Sequence, residues 1–197
     1  GWASAHPTHT RRVMKSKPIL FSLFFASIII LVSNINIQNP IMPIKASFNS
    51  LTADVKKQVT CLAENIYFEA GHEPLDGKKA VAFVTFNRVR TGNYASTVCD
   101  VVKQKFNGTC QFSWYCDPSF TSRLLTIKHT SLYNEILLMS TDMYLNFDRM
   151  KDVTNGATYY HADYVNPGWT KLQKEKQIGR HIFYKSKGDK IDRNKGI

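Results

Sequence analysis

Residues 66–73 read Ile-Tyr-Phe-Glu-Ala-Gly-His-Glu, and they place a carboxylate beside the apolar face of a helix. On a helical wheel at about 100° per residue, Val55, Val59, Leu62, Ile66 and Ala70 cluster on one side. Glu69 falls at the border of that stripe, and Glu64 is expected on the opposite side, towards solvent. A carboxylate held against apolar surface loses hydration, which disfavours its charged form and raises its pKa. That is the state a general acid needs near neutral pH. Against this stands the plain alternative of a partly exposed Glu near a helix C-terminus.

The elements that must hold this carboxylate can be read in outline. A first helix is expected from Thr52 or Ala53 to Ala70, stopping at Gly71, a residue suited to a helix C-terminus. A second spans Asp76 to Arg90 with Asp76 as N-cap. Its Ala80, Val81, Ala82, Phe83, Val84 and Phe86 are apolar almost all round, so it should be the buried central helix. Thr97 is placed to cap a short third helix through Val98, Val101 and Val102. Residues 105–120 turn irregular and aromatic, and a further helix fits Ser131 to Phe147. Short strands are expected over 157–164 and 177–184, joined by a loop containing Pro167, Gly168 and Trp169. There is no internal repeat, Gly-rich phosphate loop or low-complexity tract.

The 197 residues allow one domain with a real core plus an N-terminal extension. Residues 1–13 read as an upstream extension, with Met14 the candidate start. Lys15, Lys17 and Pro18 precede an apolar run from Ile19 to Val32, so 14–37 is expected to be a signal peptide or a signal anchor. The domain proper is expected at 51–187, after a linker at 38–50 and before a basic tail at 188–197. The four cysteines, Cys61, Cys99, Cys110 and Cys116, all follow the leader, which suggests two disulfides. Cys110 and Cys116 are near enough to close a small loop, leaving Cys61 with Cys99 among three connectivities. No Cys-x-x-Cys or close pair of His suggests zinc. The formal net charge of +11 favours polyanionic partners; the export signal argues against nucleic acid.

Eight strings in order then resemble one family. Cys61-Leu-Ala-Glu-Asn-Ile-Tyr-Phe-Glu69-Ala-Gly-His-Glu-Pro-Leu-Asp-Gly77 is followed by Ala80-Val-Ala and Asn87-Arg-Val89. Thr97 to Val102, Cys110-Gln-Phe-Ser-Trp-Tyr-Cys-Asp117, Ala157-Thr-Tyr-Tyr-His-Ala162, Val165-Asn-Pro-Gly-Trp169 and Ile178 to Tyr184 complete the set. Over roughly residues 55–185 the chain resembles the spore cortex-lytic, SleB-type cell wall hydrolases. The resemblance implies an α+β, mainly α, lysozyme-like (lytic transglycosylase-like) domain with a small β element. It also implies that Glu69, the first Glu of the family's Glu-Ala-Arg-Gly-Glu motif, is the catalytic acid/base, with Glu73 as the second Glu. Here Gly71-His72 replaces Arg-Gly.

By that resemblance the substrate is the peptidoglycan glycan strand, cut between N-acetylmuramic acid and N-acetylglucosamine without a cofactor. Tyr160 and Trp169 are candidates for stacking on sugar faces. Gln111 and Ser113, in the cysteine-bracketed loop, are candidates for hydrogen bonds to N-acetyl or hydroxyl groups. His161 and His181 are candidate cleft residues, and Glu73 is expected to orient the loop. Arg180 and the terminal lysines are placed to meet stem-peptide carboxylates. The protein is expected to be an exported monomer of the periplasm or cell envelope, with inner-membrane anchoring and a phage lysis (endolysin) role open. Two other readings remain: a zinc-dependent amidase using His161, His181 and Glu69, and a wall-binding module without activity.

Overall fold

The Thr52 side chain accepts the amide N–H of Val55 and starts helix α1, Ala53–Ala70. A computed structural model describes residues 48–197 of the chain. The expected leader and most of the linker lie outside the described residues. Helix α1 ends in a turn at Gly71 and His72, closed by the Glu73 N–H on the Ala70 carbonyl at 2.9 Å. Gly71 keeps a right-handed backbone (φ −55°), so the helix is not ended by the left-handed glycine expected there.

Helix α2, Leu75–Thr91, starts from Pro74, whose ring fixes φ near the helical entry value. Asp76 is therefore not the N-cap: it lies in the first turn, where its charge meets the positive helix end. Gly92 terminates α2 in the left-handed region at φ 73°. Every residue from Ala80 to Arg90 is buried, as expected for the apolar residues between Ala80 and Phe86 and extending to the polar Thr85, Asn87, Arg88 and Arg90.

Helix α3, Val98–Lys103, is capped by Thr97, and a two-residue hairpin follows, β1 (Lys105–Phe106) with β2 (Thr109–Cys110). A 3-10 turn at Ser113–Cys116 leads into α4, Phe120–Ile127, a helix unassigned from the sequence. Helix α5 covers Ser131–Asn146 and tightens into a 3-10 turn at Phe147–Arg149. Three antiparallel strands complete the fold: β3 (Tyr159–Ala162), β4 (Leu172–Ile178) and β5 (His181–Ser186), in the order β3-β5-β4.

The segment 177–184, expected as one strand, instead contains the end of β4, a turn and the start of β5. Residues 172–176 fall within the loop expected between the two strands, and Leu-Gln-Lys-Glu-Lys carries no apolar alternation to mark a strand there. As an edge strand it is free to be charged, since its outer side faces solvent rather than a partner.

The core lies between α1, α2, α3 and α5, with Leu62, Ile66, Phe86, Val89, Val101 and Met143 fully buried in it. On the other side of α2, Ala80 and Val84 pack against Ala157 and Phe183 and dock the sheet. Because α1 packs on several neighbours, Glu64 does not point to solvent: it is 8% exposed, with Lys128 Nζ at 3.5 Å from its carboxylate. The wheel assumed one open side, and the turn after α4 closes it. Burial holds the Glu64 carboxyl above its ordinary value.

Disulfides join Cys61 to Cys99 and Cys110 to Cys116. The first ties α1 to α3; the second closes the loop that carries the 3-10 turn. Residues 188–197, set apart on composition, are held against the body. Arg90 Nε donates to the Lys195 carbonyl at 2.9 Å, Tyr144 Oη donates to that of Ile197, and Asp189 accepts from the hydroxyl of Thr158.

Candidate active site

Glu69 occupies the last turn of α1, one residue before the helix ends, so its side chain leaves the helical core at the point where the chain turns away. It reaches a pocket of about 170 Å³ lined by Glu69, Arg88, Cys110, Gln111, Phe112, Ser113 and Tyr160. Three separate elements meet there: the end of α1, the last turn of α2 through Arg88, and β3 through Tyr160. The disulfide loop forms the fourth wall.

That loop alternates. Phe112 and Trp114 are buried, and Gln111 and Ser113 between and before them are exposed on the pocket side. Trp114 is anchored by its indole N–H on Asn65 Oδ1 at 3.1 Å and by a stacked contact with Phe68 at 4.8 Å. The buried aromatics thus fix the loop while the polar residues between them face the pocket.

Burial pushes the Glu69 carboxyl above its ordinary value of 4.5, the largest influence on it; a hydrogen bond from Tyr160 and the Arg88 cation pull the other way. Tyr160 Oη donates to Glu69 Oε2 at 3.0 Å. The Tyr160 ring packs on His181 and Phe183, with centroids at 5.2 and 5.6 Å. Its own phenol is held well above its ordinary value, first by burial and then by the Glu69 charge, so it stays a donor. Tyr160 therefore bonds the acid with its hydroxyl rather than offering an open ring face.

Strand alternation separates the other candidates. Tyr160 and His181 share the sheet face turned to α2. His161 points the opposite way, where its ring stacks on Tyr184 at 5.2 Å and meets Trp169 edge-on at 5.4 Å. Its Nδ1 donates to the Ala162 carbonyl at 2.8 Å and its Nε2 lies 2.9 Å from the Tyr184 hydroxyl. Trp169, 39% exposed, belongs to this outer aromatic cluster with Tyr159 and Tyr184. Neither His161 nor Trp169 lines the Glu69 pocket. His161 and His181 do not converge with Glu69 on one point, which removes the geometric basis of the zinc amidase reading.

Glu73 sits at the turn between α1 and α2. Its Oε2 accepts the Arg180 N–H at 3.2 Å, and its Oε1 lies 4.0 Å from His181 Nδ1. Burial lowers the His181 pKa, with the Glu73 charge acting against it. Gly179, at φ 56°, lies directly under Glu73; a Cβ there would collide with Oε2. Glu73 thus clamps the β4–β5 turn to the α1–α2 turn. The Arg180 guanidinium is engaged with Asp163 at 3.0 Å.

Arg88 is the pocket residue that the sequence did not single out, although it stands inside the quoted Asn87-Arg88-Val89. A basic residue in an otherwise apolar helix interior is a readable signal, since such a residue is rarely buried without a partner.

Residues 72–184, more than half the chain, match the profile of the cell wall hydrolases. The chain belongs to that family. The matched stretch begins just past Glu69, so it covers Arg88, the disulfide loop and Tyr160 but not the acid itself.

Among curated proteins, this cell wall hydrolase is 27% identical over 129 residues to the spore cortex-lytic enzyme of Halalkalibacterium halodurans, covering 64% of this chain and 34% of that one. It is 27% identical over 134 residues to the spore cortex-lytic enzyme of Oceanobacillus iheyensis, covering 66% and 42% respectively. The chain thus spans less than half the length of these relatives. Among solved structures, the catalytic domain of the germination-specific lytic transglycosylase SleB from Bacillus anthracis is 24% identical. That comparison covers 70% of this chain and 98% of that one with a TM-score of 0.49. The catalytic domain of the Bacillus cereus SleB protein is 23% identical, with 66% and 91% coverage and a TM-score of 0.48.

Proposed function

We propose that this domain is a lysozyme-like glycosidase that cleaves peptidoglycan between N-acetylmuramic acid and N-acetylglucosamine, as a lytic transglycosylase with Glu69 as its single acid/base. The observation that carries the reading is the Glu69 carboxyl, pushed above its ordinary value by burial and the one carboxyl among the residues lining its pocket. Hydrolytic glycosidases ordinarily flank the scissile bond with two carboxyl groups. A pocket with one favours a nucleophile supplied by the substrate.

The steps follow from the same groups. Protonated Glu69 gives its proton to the glycosidic oxygen as the bond to the muramoyl C1 breaks, and the N-acetylglucosamine hydroxyl leaves. The resulting carboxylate takes the proton of the muramoyl C6 hydroxyl as that oxygen bonds to C1, giving a 1,6-anhydro ring. Burial keeps the acid protonated at the start. The Tyr160 hydroxyl on Oε2 and the Arg88 cation stabilise the carboxylate formed midway, leaving Oε1 for the substrate. Gln111 and Ser113, on the pocket wall, are positioned to bond sugar substituents. The protein acts outside the cytoplasm as a monomer, with the N-terminal apolar segment serving as signal or anchor.

Digestion of purified sacculi, with soluble products read by mass spectrometry, tests this. Anhydro-muropeptides from the wild type and none from Glu69→Gln are the expected result. Reducing-end muramic acid would make water the nucleophile, and free stem peptides would overturn the glycosidase reading.

A further inference from the structure

Arg88 is buried to 6% exposure and lines the same pocket as Glu69, yet among the described residues no carboxylate stands in ion-pair contact with it. Its Nε donates to the Thr158 carbonyl at 2.8 Å. The rings of Tyr94 and Phe112 flank its Cζ at 5.2 and 5.1 Å. These contacts hold the guanidinium plane in place. Its Nη1 is buried and has no hydrogen-bond partner. An unmet buried donor on a charged group is costly, and folds keep such groups where something else supplies the acceptor.

Glu69 is not that acceptor in this structure, since neither of its oxygens is hydrogen-bonded to Nη1, and it offers no counter-charge at the start of the reaction. The acid must then be protonated and neutral, so the Arg88 cation faces the pocket without a counter-charge until the first proton has moved. The acceptor at that stage comes with the substrate. Arg offers only donors, in a fixed planar fork. It suits a planar acyl oxygen better than a hydroxyl, which brings a proton that Arg cannot accept. Phe112, in the same lining, offers apolar surface beside that oxygen.

We propose that Arg88 receives the carbonyl oxygen of an N-acetyl group on a sugar flanking the scissile bond. The naming of the sugar rests on the glycosidase reading; the role of the donor is tested without turnover. Binding of soluble glycan fragments is measured by calorimetry in the Glu69→Gln protein, with and without Arg88→Gln. The fragments carry N-acetyl groups, free amines after de-N-acetylation, or N-formyl groups restored on those amines.

With Arg88 present, N-acetyl and N-formyl fragments bind about 10- to 100-fold more tightly than the amines, the scale of a hydrogen bond to a charged group. Arg88→Gln removes that preference. Equal loss of affinity for all three fragments overturns the proposal, as does no loss. Failure of N-formylation to restore binding also overturns it, because the amine charge and not the missing oxygen then explains the effect. A preference that instead follows the lactyl group, read with fragments lacking it, overturns it as well. Should Arg88→Gln fail to fold, the three fragments on the Arg88-containing protein decide alone: absence of an acyl preference sinks the idea. Absence of anhydro-muropeptides from the wild type leaves these binding results standing, so the two failures are separable.

Discussion

Among the described residues two concavities lie against α2, and the smaller one contains Glu69. The Glu69 pocket measures about 170 Å³, whereas a basin of about 740 Å³ opens beside the C-terminal half of the helix. Consecutive residues divide between them: Arg88 lines the first, Asn87 and Arg90 the second. The basin holds more charge, with Lys151, Lys185, Lys190 and Arg193 on its walls, but its acids are committed to structure. Asp152 accepts the backbone N–H groups of Thr154 and Gly156 and the side-chain amide of Asn87. Asp148 pairs with Arg90, and Asp189 accepts from Thr158 and Asn93. Glu69 has one hydroxyl partner and a desolvation penalty. On the proposed function, reactivity follows desolvation and unspent hydrogen-bonding capacity, not volume.

The comparison breaks most directly through activity. Glu69→Gln is expected to lower muropeptide release by about 10²- to 10⁴-fold, the range of a lost general acid/base. Neutralising Lys185 and Lys190 together should change it by no more than about fivefold, the scale of exposed charges. A loss in the basin that rivals the loss at Glu69 would reverse the assignment.

The disulfides sharpen it next. Replacing Cys61 and Cys99 by Ala opens a loop of 38 residues and should destabilise the domain by about 4 kcal/mol in the chain-entropy treatment. Replacing Cys110 and Cys116, only 6 apart, should cost about 2 kcal/mol on the same basis. The smaller stability loss should carry the larger activity loss, because Gln111 and Ser113 ride on that loop. Urea unfolding and muropeptide release on both double variants check this.

Asn87→Ala tests the basin side of α2 alone. Its amide nitrogen serves Asp152, Thr154 and the Ala157 carbonyl, so its loss leaves buried acceptors unmet and should cost about 2–3 kcal/mol. Cleavage by the folded fraction should be unchanged, and a drop in kcat without unfolding would count against the division.

The smallest effects are in pH dependence. Glu69 must carry its proton, so activity falls as pH rises through its folded pKa. Tyr160→Phe removes an influence that lowers that pKa, and the alkaline limb should move to higher pH. Stability has the same sign. Because the folded pKa lies above the ordinary 4.5, the native state holds this proton more tightly than the unfolded chain. That stability is fully present below the ordinary value and is lost as pH rises through the folded one. Glu69→Gln cannot ionise, so its melting temperature should match wild type in acid and exceed it above the folded pKa. A mutant less stable at every pH would show that Glu69 is a structural carboxylate.

Much of this was legible beforehand. The bounds of α1 and α5, the Thr97 cap and the burial of α2 follow from short-range pattern, because apolar spacing and capping are properties of neighbouring residues. At the turn from α1 into α2, Asp76 has the residue type of a cap, but Pro74 already sets the entry. Strand β4 was missed because edge strands carry no apolar signature.

By itself, the sequence determined that a carboxylate would stand at the rim of an apolar helix face, with four cysteines and a family pattern around it. Only the tertiary structure decided which residues share its pocket. It buried Glu64, which the wheel sent to solvent, because α1 has neighbours on more than one side. It sent His161 to the outer face of the sheet, where Trp169 from the following loop packs on it, since a strand alternates its side chains and the sequence does not say which set faces inwards. It also brought Arg88 to Glu69 from a different helix, with a buried donor left unmet, because desolvation belongs to the whole packed arrangement and to no segment of the chain.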